Sequence, residues 1–203
     1  MLARADVCAG AFLEPADDEL LRRAGRGEAA AFELLASRHD TALLRFAART
    51  CGNALAEDAV QEALLSAWRD ARNFRGDATV RTWLFGIVLH ACRRIGRVRA
   101  GEPGRYEPIE AARSAVTTAS SPDDAAARAE LGRVLDAALR DLDARDREIL
   151  LLRDVEQLSG EEVARLLDLK LPAMKSRLHR ARLELKRSVE ARLGRPIGGR
   201  HEG

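Results

Sequence analysis

Three observations predict an all-α fold made of two small helical domains joined by a flexible linker. First, the chain of 203 residues has eight aromatics, a third of its residues charged, and 34 Lys and Arg against 32 Asp and Glu. So few aromatic and β-branched residues among so many Ala, Leu, Arg and Glu favour helix packing over sheets. Second, apolar residues recur three and four apart from Asp17 to about Arg99, and again after Asp123, the period of a helix with one buried face. Third, between Ala100 and Pro122 this pattern gives way to Gly101, Pro103, Gly104, Pro108, Ser114, Thr117, Thr118, Ser120, Ser121 and Pro122, a stretch that suits a linker better than the inside of a compact domain. The expected boundaries are therefore 17–99 for the first domain, 100–122 for the linker and 123–192 for the second domain.

In the first domain, Asp17 or Asp18 can cap a short helix through Leu20 and Leu21 that ends at Gly25 and Gly27. Glu28 to Thr50 follows, with Phe32, Leu35, His39, Leu43 and Phe46 inward, and Cys51-Gly52-Asn53 stops it. From about Leu55 to Asn73, Leu55, Ala59, Ala63 or Leu64, and Trp68 form an apolar side opposite Glu57, Asp58, Gln61 and Glu62. Phe74-Arg75-Gly76-Asp77 breaks the pattern, and Thr79 to about Arg99 resumes it with Trp83, Ile87 and Ile95 inward. In the second domain a helix runs through Leu131, Val134, Leu135, Ala138 and Leu142, then another from Asp143 to Asp154 with Asp143 as its cap. The tail from Arg195 to Gly203, with Pro196, Gly198 and Gly199, is expected to fray.

The longest apolar candidate, Trp83 to Cys92, is interrupted by Gly86 and His90 and falls well short of the roughly 20 residues of a membrane span. The N-terminal stretch carries Asp6 and too short an apolar run for a signal peptide, so a soluble cytoplasmic protein is expected. Cys8, Cys51 and Cys92 are odd in number and widely spaced, indicating neither a disulfide framework nor a metal knuckle; buried structural cysteines are the default.

The net charge of +2 conceals segregation. Basic and acidic residues number 8 and 12 in 1–71, 8 and 2 in 72–106, 8 and 15 in 107–169, and 10 and 3 in 170–203. Two basic blocks, each preceded by an acidic one, suit a chain that meets a polyanion twice and a basic partner elsewhere. Solvated helix faces of uneven charge are the plainer reading, and position within helices decides between them. The acidic block 107–169 has no assigned partner beyond keeping linker and domain interface off a polyanion.

The sharpest local signal lies near the C-terminus. Ser159 and Glu162 form a capping box that starts a helix of two to three turns ending near Asp168. Pro172 then suits the first turn of a second helix, where its missing N–H costs nothing. A short helix, tight turn and second helix are the helix-turn-helix plan, whose second helix enters the major groove. Met174, Leu178, Ala181 and Leu185 form its inward stripe. Around them lie Lys175, Ser176, Arg177, His179, Arg180, Arg182, Lys186 and Arg187, and such side chains reach guanine edges and phosphates.

Together these segments resemble the extracytoplasmic-function group of bacterial RNA polymerase sigma factors, in the sigma-70 family. Ala56-Glu57-Asp58-Ala59-Val60-Gln61-Glu62-Ala63-Leu64-Leu65-Ser66-Ala67-Trp68 is similar to the conserved helix of region two. Phe74-Arg75-Gly76 to Thr82-Trp83-Leu84 with Ile87 is similar to the promoter-melting segment, and Arg145 to Glu156 with Lys175 to Arg182 to region four. The resemblance spans roughly Asp17 to Val189. It implies a region-two bundle that binds the minus-10 element and the beta-prime clamp of core polymerase, and a region-four helix-turn-helix that binds the minus-35 element and the beta flap. Asp58, Gln61 and Glu62 then face the clamp. Phe74, Arg75, Arg81, Trp83, His90, Arg94 and Arg97 serve minus-10 DNA, and Lys175, Ser176, Arg177, His179 and Arg180 serve minus-35 DNA.

Captured single-stranded bases call for an aromatic and cationic surface, although Phe74 and Trp83 also fit inward positions. The run Arg93, Arg94, Arg97 and Arg99 suits phosphates. This sequence departs from the family in four places: His90 stands where Asn is common, Arg94 where Asp or Asn is, and Asp168 and Pro172 where Gly is usual. The first two lie on the helix that the resemblance brings to the minus-10 DNA, and the last two at the turn of the helix-turn-helix. The resemblance also implies an anti-sigma factor as partner, and neither cofactor, metal nor catalysis. Two other classes compete. One is a helix-turn-helix regulator that never joins polymerase, which would lack the segment from Glu57 to Trp83. The other is an enzyme or metal sensor using His39, Cys51, His90 and Cys92, but the two-residue offset of His90 and Cys92 points around a helix rather than along one face.

Overall fold

The computed structural model describes residues 14–99 and 122–196. Among them are eight α-helices and no strand: α1 (Asp17–Gly25), α2 (Ala29–Cys51), α3 (Asn53–Asp70), α4 (Val80–Arg99), α5 (Pro122–Asp141), α6 (Ala144–Leu150), α7 (Gly160–Leu166) and α8 (Leu171–Leu193). Most of the expected linker and the tail from 197 onward lie outside the described residues, while Pro122, assigned to the linker's end, opens α5.

Helices α1 to α4 pack around Leu20, Leu21, Leu35, Leu43, Phe46, Ala59, Ala63, Phe85 and Leu89, each at most 3% exposed. Phe46 and Phe85 meet edge to face with ring centroids 5.2 Å apart, a geometry worth about 0.5–1.5 kcal/mol beyond area burial. α1 ends as the glycines require. Gly27 lies at φ +93°, and the N–H groups of Gly27 and Glu28 return to the carbonyls of Ala24 and Arg23 at 2.8 and 3.2 Å, closing the last turn in a Schellman arrangement.

Two expectations about this half need correction. Asp17 and Asp18 lie inside α1, whose N-cap is Ala16 without a side-chain bond. Asp17 instead accepts from His39 Nε2 at 2.7 Å and Arg38 at 3.0 Å, joining α1 to α2. In α4 the buried side is Leu84, Phe85, Val88, Leu89 and Cys92, whereas Trp83 and Ile87 lie half-buried on the far side of the helix and Ile95 is half-buried one turn past Cys92. The apolar residues of α4 are too numerous for one stripe, so spacing alone left two registers open. In the second half, α5 runs through Leu131, Val134, Leu135 and Ala138 as expected; Leu131 and Leu135 are 53% and 39% exposed, and its buried contacts come at the C-terminal end, from Ala138 and Leu139.

The second half follows its signals closely. The Asp143 side chain accepts from the Arg145 N–H at 2.9 Å, and both bonds of the capping box form, at 2.9 and 3.2 Å. After α6 the chain widens into a π-helical turn at Leu151–Val155, which brings Glu156 against α4. Side chains of both halves join one continuous apolar core. Gly86 of α4 marks the closeness, since a Cβ there would stand 2.8 Å from Leu166 of α7.

Candidate nucleic-acid interface

Three helices carry the residues singled out in the sequence, and the geometry of each sorts them. On α4, at 100° per residue, Trp83, Ile87, His90, Arg94 and Arg97 fall within an arc of about 80°. His90, Arg94 and Arg97 are exposed and Trp83 half-buried. Phe74, from the preceding loop, leans on Trp83 with centroids 5.2 Å apart, and Arg75 beside it is exposed. Six of the seven minus-10 candidates thus form one cationic surface with an aromatic pair at its end.

Arg81 is the exception. It lies on the stripe of α4 that faces the C-terminal half, with its guanidinium 5.0 Å from the Phe85 ring centroid. It donates to the backbone carbonyl of Glu156 and, at 2.8 Å, to that residue's carboxylate. Burial raises the pKa of Glu156, against the pull of Arg81, Arg45 and Arg49. On the same stripe, Thr82 donates to Glu162 at 2.5 Å. Burial opposes ionisation of Glu162, yet bonds from Thr82 and Ser159 outweigh it and lower its pKa. One helical turn past Leu89, Arg93 donates to Glu148 at 3.0 and 2.5 Å. From α7, Arg165 reaches the Asp77 carbonyl, and between α2 and α5 Arg49 meets Asp136 at 3.0 Å.

The acidic block 107–169 therefore has a partner: Asp136, Glu148, Glu156 and Glu162 meet the N-terminal helices. Sequence reasoning missed these contacts because they join residues 55 to 87 positions apart. The segment charges were the available signal.

On α8, Met174, Leu178 and Ala181 are buried as expected and Leu185 is partly buried. Lys175, Ser176, His179 and Arg180 are exposed and fall within about 140° of arc. Arg177 lies about 60° beyond that arc, half-buried, where its Nε meets Asp146 of α6 at 3.1 Å. The turn before α8 is a second Schellman closure: Asp168 at φ +53° donates its N–H to the Arg165 carbonyl at 3.3 Å, and Leu169 donates to Ala164 at 2.8 Å. Glycine is favoured at such a φ, and Asp is among the few other residues that tolerate it. Pro172 falls within the first turn of α8, where Lys170 is the N-cap.

On α3, Asp58 and Gln61 are exposed and Glu62 half-exposed. Leu65, 56% exposed, lies between them on the same face, an apolar centre that the charge pattern did not single out. Beside it Phe32, Leu64 and Trp68 line an apolar groove between α2 and α3. Glu62 pairs with Arg94 of α4, so the acidic face of α3 and the cationic face of α4 share an edge. Among the described residues, no group of three or more His, Cys, Asp or Glu is arranged to hold a metal, and no helix is long and apolar enough to cross a membrane.

Comparison with known proteins accords with this geometry. Residues 35–100 match Sigma-70 region 2 and residues 132–185 match Sigma-70 region 4. The chain is 34% identical over 173 residues to the RNA polymerase sigma factor NccH of Alcaligenes xylosoxydans xylosoxydans, covering 83% of this chain and 92% of that protein. It is 28% identical over 180 residues to the ECF RNA polymerase sigma-E factor of Escherichia coli strain K12, covering 86% and 94%. Among solved structures, CnrH in complex with the cytosolic domain of CnrY superposes with a TM-score of 0.64 at 31% identity, over 87% of this chain and 99% of that one. The sigma factor RpoE in complex with the anti-sigma factor NepR from Bartonella quintana gives 0.61 at 25% identity, over 78% and 96%.

Proposed function

Since the chain belongs to the extracytoplasmic-function group of sigma-70 family RNA polymerase sigma factors, we propose a division of labour among its helices in directing promoter-specific initiation. The exposed arc of α8 reads the minus-35 element, the exposed stripe of α4 with Phe74 and Arg75 engages the minus-10 element, and the face of α3 centred on Leu65 docks on the polymerase clamp. The boundaries 17–99 and 123–192 then delimit the region-two and region-four units, with α5 entering the second unit at Pro122. The carrying observation is that α8 offers Lys175, Ser176, His179 and Arg180 on one solvent face, behind a capped α7 and a closed turn. Arg can bond guanine in a bidentate fashion, while Lys, Ser and His reach phosphates and shorter gaps.

This chain's own contribution is binding and orientation, and RNA synthesis belongs to polymerase, with which it would act in the cytoplasm. The contacts of Arg81, Thr82 and Arg93 with carboxylates of the C-terminal half must part if the two units are to reach two promoter elements at once. Two of the similar solved structures hold a second protein, an anti-sigma factor in the case of RpoE, and an anti-sigma partner that favours the packed arrangement is proposed here too. Run-off transcription with core polymerase and this chain, on a randomised promoter library, tests the reading. Enrichment of two separated sequence elements is expected. Duplex binding without transcription would instead favour a helix-turn-helix regulator.

A further inference from the structure

We propose that Cys51 and Cys92 are a redox-active pair, a modification site at which a reversible disulfide ties the end of α2 to the middle of α4. Their Sγ atoms lie 2.8 Å apart although the residues are 41 positions apart in sequence. Only about 0.8 Å separates that distance from an S–S bond.

The two thiols are not equivalent. Cys51 is the last residue of α2, half-buried beside Gly52, and donates its S–H to the Ala47 carbonyl at 3.3 Å. Cys92 is 2% exposed, inside the bundle. A bond from the Cys92 S–H holds the Cys51 thiol below its usual range, against the effect of burial. Cys92 is pushed up by that same bond, then by burial, then by the negative charges of Cys51 and of Glu148 from α6. The neighbouring cation, Arg93, is engaged by Glu148. Cys51 is therefore the attacking sulfur and Cys92 the resolving one.

With a low-molecular-weight disulfide such as glutathione disulfide as oxidant, the Cys51 thiolate displaces one glutathione thiolate and forms a mixed disulfide. Cys92 sulfur then attacks the Cys51 sulfur, its proton passing to the second departing glutathione. Two protein thiols are oxidised and one glutathione disulfide is reduced to two thiols. At 100° per residue Cys92 lies about 180° around α4 from Trp83, so the bridge leaves the proposed minus-10 face uncovered. Its direct effect is to fix α4 on α2.

The full-length chain carrying Cys8→Ser is incubated, folded, with glutathione disulfide, alkylated, and analysed by intact mass and non-reducing peptide mapping. Expected are the loss of two hydrogen masses, a peptide linking Cys51 to Cys92, a melting temperature raised by several degrees, and full reversal by dithiothreitol. Adding Cys92→Ala should trap glutathione on Cys51, while adding Cys51→Ser should leave Cys92 unmodified in the folded protein. Should one of these variants fail to fold, the other and the Cys8→Ser parent still decide. Two free thiols after exposure, or glutathione stable on Cys51 with Cys92 present, would overturn the proposal.

Discussion

Arg93 of α4 and Glu148 of α6 form a bidentate pair, with Nε and Nη2 donating to the two carboxylate oxygens at 3.0 and 2.5 Å. Side-chain exposures are 28% and 6%, so the carboxylate is almost wholly withdrawn from water and its stability in place depends on the guanidinium. The pair raises the pKa of Arg93 above its ordinary value. Together with Arg81–Glu156 and Thr82–Glu162, it occupies the one stripe of α4 that faces the C-terminal half.

Removing one partner should loosen that contact. Glu148→Gln keeps the shape but loses a charge-assisted bond, which is worth about 1.5–3 kcal/mol. Urea unfolding of Glu148→Gln, Arg93→Gln and the double variant reads the coupling directly. Strict additivity in that cycle would show that the two side chains do not depend on one another. Glu148→Lys adds repulsion and should increase the radius of gyration measured by X-ray scattering.

On α8 the expected order is unequal although the residues are of one type. Arg180 is exposed, whereas Arg177 is held by Asp146 at 3.1 Å. Arg180→Ala should weaken binding to a minus-35 duplex by about 1–3 kcal/mol, the range of a lost bidentate base contact. Arg177→Ala should cost less, because reaching a base first requires leaving Asp146. Fluorescence anisotropy at fixed salt on one duplex measures both, and an equal or larger loss at Arg177 would reverse the assignment.

The clamp face can be separated from the fold. Asp58→Arg with Glu62→Arg should abolish co-purification with core polymerase while helical circular dichroism stays unchanged. Glu62 does pair with Arg94, but both side chains are roughly half exposed, and such a pair contributes only about 0–1 kcal/mol. Leu65→Ala should weaken the same association with no loss of stability, since its side chain is 56% exposed.

What could be read from the sequence was local. Capping at Asp143 and Ser159, the stop at Gly52, Pro172 opening α8, and the Met174–Leu178–Ala181 stripe each depend on residues within a turn or two. The left-handed residues Gln157 and Asp168, at φ +59° and +53°, carry little signal because neither is glycine. The meeting of Cys51 with Cys92, and of α4 with the acidic block, depends on packing between distant segments. For the same reason Asp17, a plausible cap by position, was drawn instead to His39 and Arg38.

The turn before α8 offers a test of that backbone reading. Asp168 adopts a conformation in which a side chain costs about 1–2 kcal/mol relative to the right-handed region. Asp168→Gly should remove part of that cost and raise the melting temperature slightly, whereas Asp168→Val should lower it. A rise in both variants would be incompatible with a left-handed residue there.

Asp17 gives the acid dependence of the α1–α2 contact. Burial alone would raise its pKa, but hydrogen bonds from His39 and Arg38 outweigh that and lower it from 3.8. The folded state thus binds the Asp17 proton less tightly than the unfolded chain does. Its stabilisation is fully present above pH 3.8 and disappears as pH falls through the lower folded value. Asp17→Asn removes the charge from both bonds and should cost about 1 kcal/mol at pH 7. The difference between the variant and the parent should shrink as the pH is lowered below 3.8, in thermal melts run side by side. A difference that persisted undiminished into strong acid would mean that Asp17 acts there through shape rather than charge.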